Sequence, residues 1–118
     1  MTFGEFIRIR REELGKTLRG LAADLEITPA YLSDIEKGNR PAPEKYLDQF
    51  IGLLKIPENR LNDFYDLAGK SRNNQYPDLN EYIGETDIAR VALRRARDMK
   101  IPDERWQAFI DDIGEHKP

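Results

Sequence analysis

The chain has 118 residues, with 19 Lys plus Arg against 22 Asp plus Glu, a net charge of -3, and 39% hydrophobic and 35% charged residues. That length holds one compact domain, or a domain of about 70 residues with an appendage, and excludes a TIM barrel or a two-half dinucleotide fold. The acidic balance alone argues against nucleic acid, the absence of cysteine excludes disulfides and thiolate metal sites, and no apolar run approaches the roughly 20 residues of a membrane span.

Apolar residues recur at helical spacing nearly throughout, and no alternating stretch suggests a sheet, so the expected fold class is all-α. The first helix is predicted over residues 3 to 14, with Thr2 and Glu5 as a capping box, Phe3, Ile7 and Leu14 inward, and Gly15 as a left-handed stop. Thr17 caps a second helix reaching Leu25, with Leu18, Leu21, Ala22 and Leu25 on one side. Thr28 caps a third, with Pro29 at its first position and Gly38 at its end. Prolines 41 and 43 break the segment that follows. A fourth helix is expected from Glu44 to Leu54, and a fifth from near Pro57 until Gly69 stops it.

Residues 70 to 77 are polar and aperiodic and read as a connector. Leu79, Tyr82 and Ile83 suggest a short helical turn. Beyond it, Thr86 is placed to cap a helix with Ile88, Val91, Ala92, Ala96 and Met99 inward, and Pro102 opens a last helix with Trp106, Phe109, Ile110 and Ile113 inward. The two stripes suit an αα-hairpin. About 35 residues bury too little surface to fold alone, so these faces should meet the first five helices, a second copy of the chain, or another protein. The expected organisation is a domain over residues 1–69, a connector over 70–77 and a helical extension over 78–118, for dimerisation or partner contact.

The informative stretch runs from Thr17 to Arg40. Two capped helices are joined by a turn of about three residues, with small Ala22 at the crossing and Ile27 buried in the turn, which is helix-turn-helix geometry. In Leu21-Ala22, Ile27-Thr28, Leu32-Ser33, Ile35-Glu36, Gly38 and Arg40 the chain resembles the Cro/cI-type (XRE) family of DNA-binding regulators. The resemblance covers residues 1 to about 68. It implies a five-helix, lambda-repressor-like DNA-binding domain whose third helix enters the major groove of a double-stranded operator. It also implies a salt bridge between Arg11 and Glu36 that braces the first helix against the third. A carboxylate facing DNA would otherwise repel phosphate.

By the same resemblance, Pro29, Ala30, Tyr31, Ser33 and Asp34 face base edges. Pro29 and Ala30 offer small apolar surface to a thymine methyl, and Asp34 a carboxylate to a cytosine amino group. No Gln, Arg or Asn stands at these places, so direct readout is expected to be modest, with DNA shape and half-site spacing carrying more of the specificity. Phosphate contacts are expected from Lys16, Arg19, Lys37, Asn39 and Arg40, and from the helix starts at Thr17 and Thr28. The chain departs from the family at Glu26, where relatives usually carry glycine, and at Leu18 and Gly20. Leu18 is expected to be buried, and Glu26 to sit strained in the left-handed region.

The leading expectation is a cytoplasmic transcriptional repressor that binds a pseudo-palindrome as a homodimer, its recognition helices about 34 Å apart. An antitoxin of the HigA type is the alternative, with a toxin held at the hairpin, where Arg90, Arg94, Arg95, Arg97 and Lys100 lie among Asp87 and Asp98; an ordinary salt-bridged helix surface accounts for the same cluster. A third reading is a protein-interaction module that keeps this fold without DNA binding, supported by the acidic balance and Asp34. No membrane contact, metal or cofactor is expected, and no enzymatic activity. Glu104, Asp111 and Asp112 have no phosphate loop or metal-spacing histidine to serve, and the single histidine, His116, is the third residue from the C-terminal end. Residues 1–70 hold 11 basic and 12 acidic side chains; the local exception is residues 8–19, where Arg8, Arg10, Arg11, Lys16 and Arg19 outnumber Glu12 and Glu13.

Overall fold

The computed structural model describes residues 1–114; His116 lies outside them. The described residues are all-α. Eight α-helices follow one another: α1 (Phe3–Glu13), α2 (Leu18–Leu25), α3 (Pro29–Glu36), α4 (Leu47–Leu53), α5 (Leu61–Ser71), α6 (Pro77–Glu85), α7 (Asp87–Met99) and α8 (Asp103–Ile113). The chain divides into two compact units, Met1–Asn80 and Glu81–Pro118.

Local chemistry starts and stops the first three helices. Thr2 accepts from the Glu5 amide at 3.1 Å while the Glu5 carboxylate accepts from the Thr2 amide at 3.0 Å, a reciprocal capping box. Hydrogen bonding from Thr2, its backbone amide foremost and then its hydroxyl, holds the Glu5 carboxylate pKa below the usual range. Thr17 and Thr28 cap α2 and α3 in the same sense, and Pro29 occupies the first turn of α3. Gly15 and Gly38 take up positive φ at the ends of α1 and α3.

The fourth and fifth helices begin differently from the prediction. Each is preceded by a 3-10 turn, Glu44–Tyr46 before α4 and Glu58–Arg60 before α5. Pro43 and Pro57 stand where a capping side chain would be, so the entering chain tightens into i→i+3 bonds, Tyr46 N–H to Pro43 O at 3.0 Å and Arg60 N–H to Pro57 O at 2.9 Å. Nor does Gly69 end α5, which runs on to Ser71. Gly69 is buried, and a Cβ there would come within 2.1 Å of the Tyr76 ring. It is a packing glycine: the chain turns through Asn73 and Asn74, both at positive φ, and lays Tyr76 back over it.

One apolar core holds the first unit together. Phe3, Phe6, Phe50 and Phe64 form its aromatic centre, with ring centroids 5.3 to 6.1 Å apart. Ile7, Leu21, Ala22, Leu25, Leu32, Ile35 and Leu54 surround them, all buried. Leu18 and Ile27, expected to be buried, are half-buried and pack on its edge. Arg10 caps the end of α4 across space, donating to the carbonyls of Leu54 and Lys55, each at 2.9 Å.

In the second unit α7 and α8 form the expected hairpin, turned at Lys100 in the left-handed conformation. Thr86 stands at the cap position of α7 without making the side-chain bond, and Pro102 caps α8 rather than opening it. Arg90 donates to the carbonyls of Ile83 and Gly84, each at 2.7 Å, and to the Asp87 carboxylate, so it ties the end of α6 to α7. The stripes predicted to point inward are largely exposed: Ile88, Val91, Met99, Phe109, Ile110 and Ile113 all face solvent. The two helices touch each other too little beyond the turn to cover either face.

Two glycines provide opposite controls on helix packing. A Cβ on Gly4 would lie 2.3 Å from the Ile35 carbonyl oxygen, so α1 crosses the end of α3 at backbone contact, whereas Gly52 on α4 has nothing within 4 Å. Gly4→Ala should destabilise the fold by about 2 kcal/mol or more, by forcing the two backbones apart. Gly52→Ala should stabilise it by about 0.5 to 1 kcal/mol through helix propensity alone. Urea unfolding of the two variants checks the opposite signs.

Candidate nucleic-acid interface

The turn between α2 and α3 is set by Glu26, which adopts φ 58° and ψ 39°. A residue with a Cβ is strained there. The strain is held by neighbours that order the turn: Ala22 is buried at the helix crossing, and the Ile27 amide donates back to the Ala22 carbonyl at 3.0 Å. The two helices therefore leave the turn with Thr17 and Thr28 at their starts. Each threonine oxygen accepts from a helix amide, Gly20 at 2.9 Å and Tyr31 at 3.1 Å, and its own O–H is left to donate elsewhere. The first amides of each helix have no acceptor within the helix, so both starts carry partial positive charge.

On α3, Ala30 is exposed, Pro29, Tyr31, Ser33 and Asp34 are half-buried, and Leu32 and Ile35 enter the core. Lys37, Asn39 and Arg40 follow the helix, all exposed. The Arg40 guanidinium lies 5.8 Å from the centre of the Tyr31 ring. This cation–π contact brings together two residues assigned separately from sequence, and it ties the segment after α3 to the helix itself.

Glu36 is buried at the end of α3, where Arg11 meets it with two hydrogen bonds, Nε at 2.8 Å and NH2 at 2.9 Å. The third arm of Arg11 donates to the Lys16 carbonyl at 3.0 Å. One guanidinium thus joins α1, the approach to α2 and the end of α3. The hydrogen bonds to Glu36 raise the Arg11 pKa above its ordinary value, with burial opposing.

The basic surplus over residues 8–19 shrinks when geometry is added. Arg10 is spent on the α4 carbonyls and sits 3.5 Å from Glu13, and Arg11 is neutralised by Glu36. Arg8 and Arg19 remain exposed, with Lys16 half-buried.

Two residues missed in the sequence hold the segment that carries Asn39 and Arg40. The Ala42 amide donates to Ser71 Oγ at 2.9 Å, and Ser71 Oγ donates to the Ala68 carbonyl at 2.7 Å. Arg72 donates to the Ala42 carbonyl at 3.0 Å and lies 3.8 Å from Glu44. The Arg72 Nε is buried without a partner, the mark of a side chain drawn inward to make this clamp. Residues read as the start of a connector therefore grip the loop after α3. The contacts span 29 and 30 residues, and no local signal announces them.

A family model for the helix-turn-helix domain matches residues 2–64. The chain belongs to this helix-turn-helix family. No curated protein and no solved structure matches it. The match supports a DNA-binding regulator, with α2 and α3 as the two helices of the motif, and it ends before Ser71 and Arg72. No helix among the described residues is long and apolar enough to cross a membrane.

Removing Arg11 leaves a buried carboxylate unpaired. Arg11→Ala should cost about 3 to 5 kcal/mol, and Arg11→Met combined with Glu36→Leu should regain most of it. A loss below about 1 kcal/mol in urea unfolding would refute the bracing role. Glu26→Gly should stabilise the domain by about 1 kcal/mol by relieving the left-handed strain; an unchanged or lower midpoint would show that the turn rebuilds around glycine.

Proposed function

We propose that this helix-turn-helix protein is a sequence-specific regulator of the Cro/cI type, a repressor that binds a double-stranded, pseudo-palindromic operator as a homodimer with α3 in the major groove. The observation that carries the reading is the neutralised end of α3. Glu36 is the helix's buried acid, and its bidentate pairing with Arg11 removes the charge that would most repel a phosphate backbone. Pro29, Ala30, Tyr31, Ser33 and Asp34 are the residues proposed to meet base edges. Thr17 and Thr28, with the helix starts they cap, are proposed to hold phosphates together with Lys16, Arg19, Lys37, Asn39 and Arg40.

A net charge of -3 gives little long-range attraction to DNA. Affinity then depends on operator fit and on two copies binding together. Repression by a homodimer needs only DNA and a second copy of the chain, whereas toxin neutralisation requires a different protein as partner. Repression is therefore the reading adopted.

Selection of operator sequences from random duplex DNA by the purified chain, read at two salt concentrations, tests the proposal. Enrichment of a two-fold symmetric site is expected. No enrichment above random sequence at low salt would move the protein to the class of interaction modules that keep this fold without binding DNA. On the selected site, Arg40→Ala should lower the magnitude of the salt slope by about one unit for each copy bound. An unchanged slope removes Arg40 from the phosphate contacts.

A further inference from the structure

The hairpin of α7 and α8 carries an open groove of about 560 Å³, lined by Ile88, Val91, Ala96, Met99, Trp106 and Phe109, with Arg95 and Arg105 among its walls. Ile88 is 75% exposed, Met99 70% and Phe109 54%. Trp106 and Phe109 stack edge to face at 6.2 Å and stiffen one wall. An exposed apolar face of this kind, with the rest of each helix polar, marks an interaction surface.

Charge identifies the occupant. Helix α7 holds Arg90, Arg94, Arg95 and Arg97 against Asp87 and Asp98, a surplus of two positive charges. Helix α8 holds Asp103, Glu104, Asp111 and Asp112 against Arg105, a surplus of three negative charges. Arg90 and Arg97 are paired within their own helix, while Arg94 and Arg95 have no ion-pair partner among the described residues. The groove thus asks for an amphipathic helix flanked by acids. Helix α8 is such a helix, with an apolar stripe at Phe109, Ile110 and Ile113 beside Asp111 and Asp112, and at 11 residues it is close in length to the 13-residue α7.

We infer that the hairpin is the self-association surface of this protein, and that two copies pack face to face as an antiparallel four-helix bundle in which α7 of each copy lies against α8 of the other. Two-fold symmetry fills both grooves at once. The alternative pairing, α7 on α7 and α8 on α8, would set like charges together on both seams, and like charges across an interface discriminate strongly against it. Apolar burial supplies the affinity, and the charges select the partner helix. The inference deepens the homodimer part of the function proposed above and gives it a surface.

The experiment is sedimentation equilibrium of the full chain without DNA, with far-UV circular dichroism to verify helix content. The natural chain should be a dimer. Reversing one helix, by Arg94→Glu with Arg95→Glu or by Asp111→Arg with Asp112→Arg, should raise the dimer dissociation constant about tenfold or more. All four changes in one chain should restore it, because the helices then attract with exchanged signs. A natural chain that is monomeric at every concentration, single-helix reversals with no effect, or a fourfold variant that stays monomeric with its helix content intact each overturns the inference. DNA selection is read separately. A monomer that still enriches an operator sinks this inference alone, and a dimer that enriches none sinks only the DNA-binding reading.

Discussion

Glu36 is a carboxylate buried at the end of the helix whose start is proposed to enter the major groove, and the first unit is organised around neutralising it. Arg11 does so from 25 residues earlier, with two parallel hydrogen bonds and a third to the Lys16 carbonyl. A buried pair of this kind adds little net stability compared with well-packed apolar residues, but breaking it is costly, because either partner alone leaves an uncompensated charge. Its value lies in geometry. The planar guanidinium fixes the direction of approach, so α1, the lead into α2 and the end of α3 have one mutual arrangement. Gly4 completes that arrangement by letting the α1 backbone touch the Ile35 and Glu36 carbonyls.

The same constraint governs the edge proposed to face DNA. α3 is held at its end by Arg11, and the loop after α3 is gripped from two directions. Tyr31 lies beside Arg40 from the helix side. Ser71 and Arg72 hold both backbone groups of Ala42 from the other. Loops are commonly the mobile part of a binding surface, and here the one bearing Asn39 and Arg40 is anchored at each end. For a chain with little long-range electrostatic attraction, an ordered contact edge lowers the entropy lost on binding.

The hairpin answers a different demand. Two helices of 13 and 11 residues bury no side chain fully between them and leave most of their apolar stripes open. A second copy offers the same stripes with the charges exchanged, so association covers apolar surface that the hairpin alone cannot. The division of charge between α7 and α8 gains meaning only when the helices are seen side by side; along the sequence it reads as ordinary mixed polarity.

Much of the local structure was legible in the residues themselves. Thr2 with Glu5, Thr17, Thr28, Pro29, Gly15 and Gly38 mark helix ends through interactions that span three or four residues, and such short-range chemistry is written in order along the chain. Family resemblance singles out Glu26, which takes up the left-handed conformation, and Arg11 with Glu36, which are joined by two hydrogen bonds. What the sequence could not disclose depends on distant parts meeting. Gly69 looks like a helix stop until Tyr76 is seen packed on it. Arg10 looks like part of a basic patch until it is found on the carbonyls of Leu54 and Lys55, 44 and 45 residues away. Ser71 and Arg72 look like linker until they reach Ala42. The sequence by itself determined the helical class, the caps of the first three helices and the motif, because those follow from neighbours along the chain. Only the tertiary structure decided which charges remain free and which loop is clamped, because a side chain's hydrogen-bonding capacity is claimed by whatever the fold brings within about 3 Å of it.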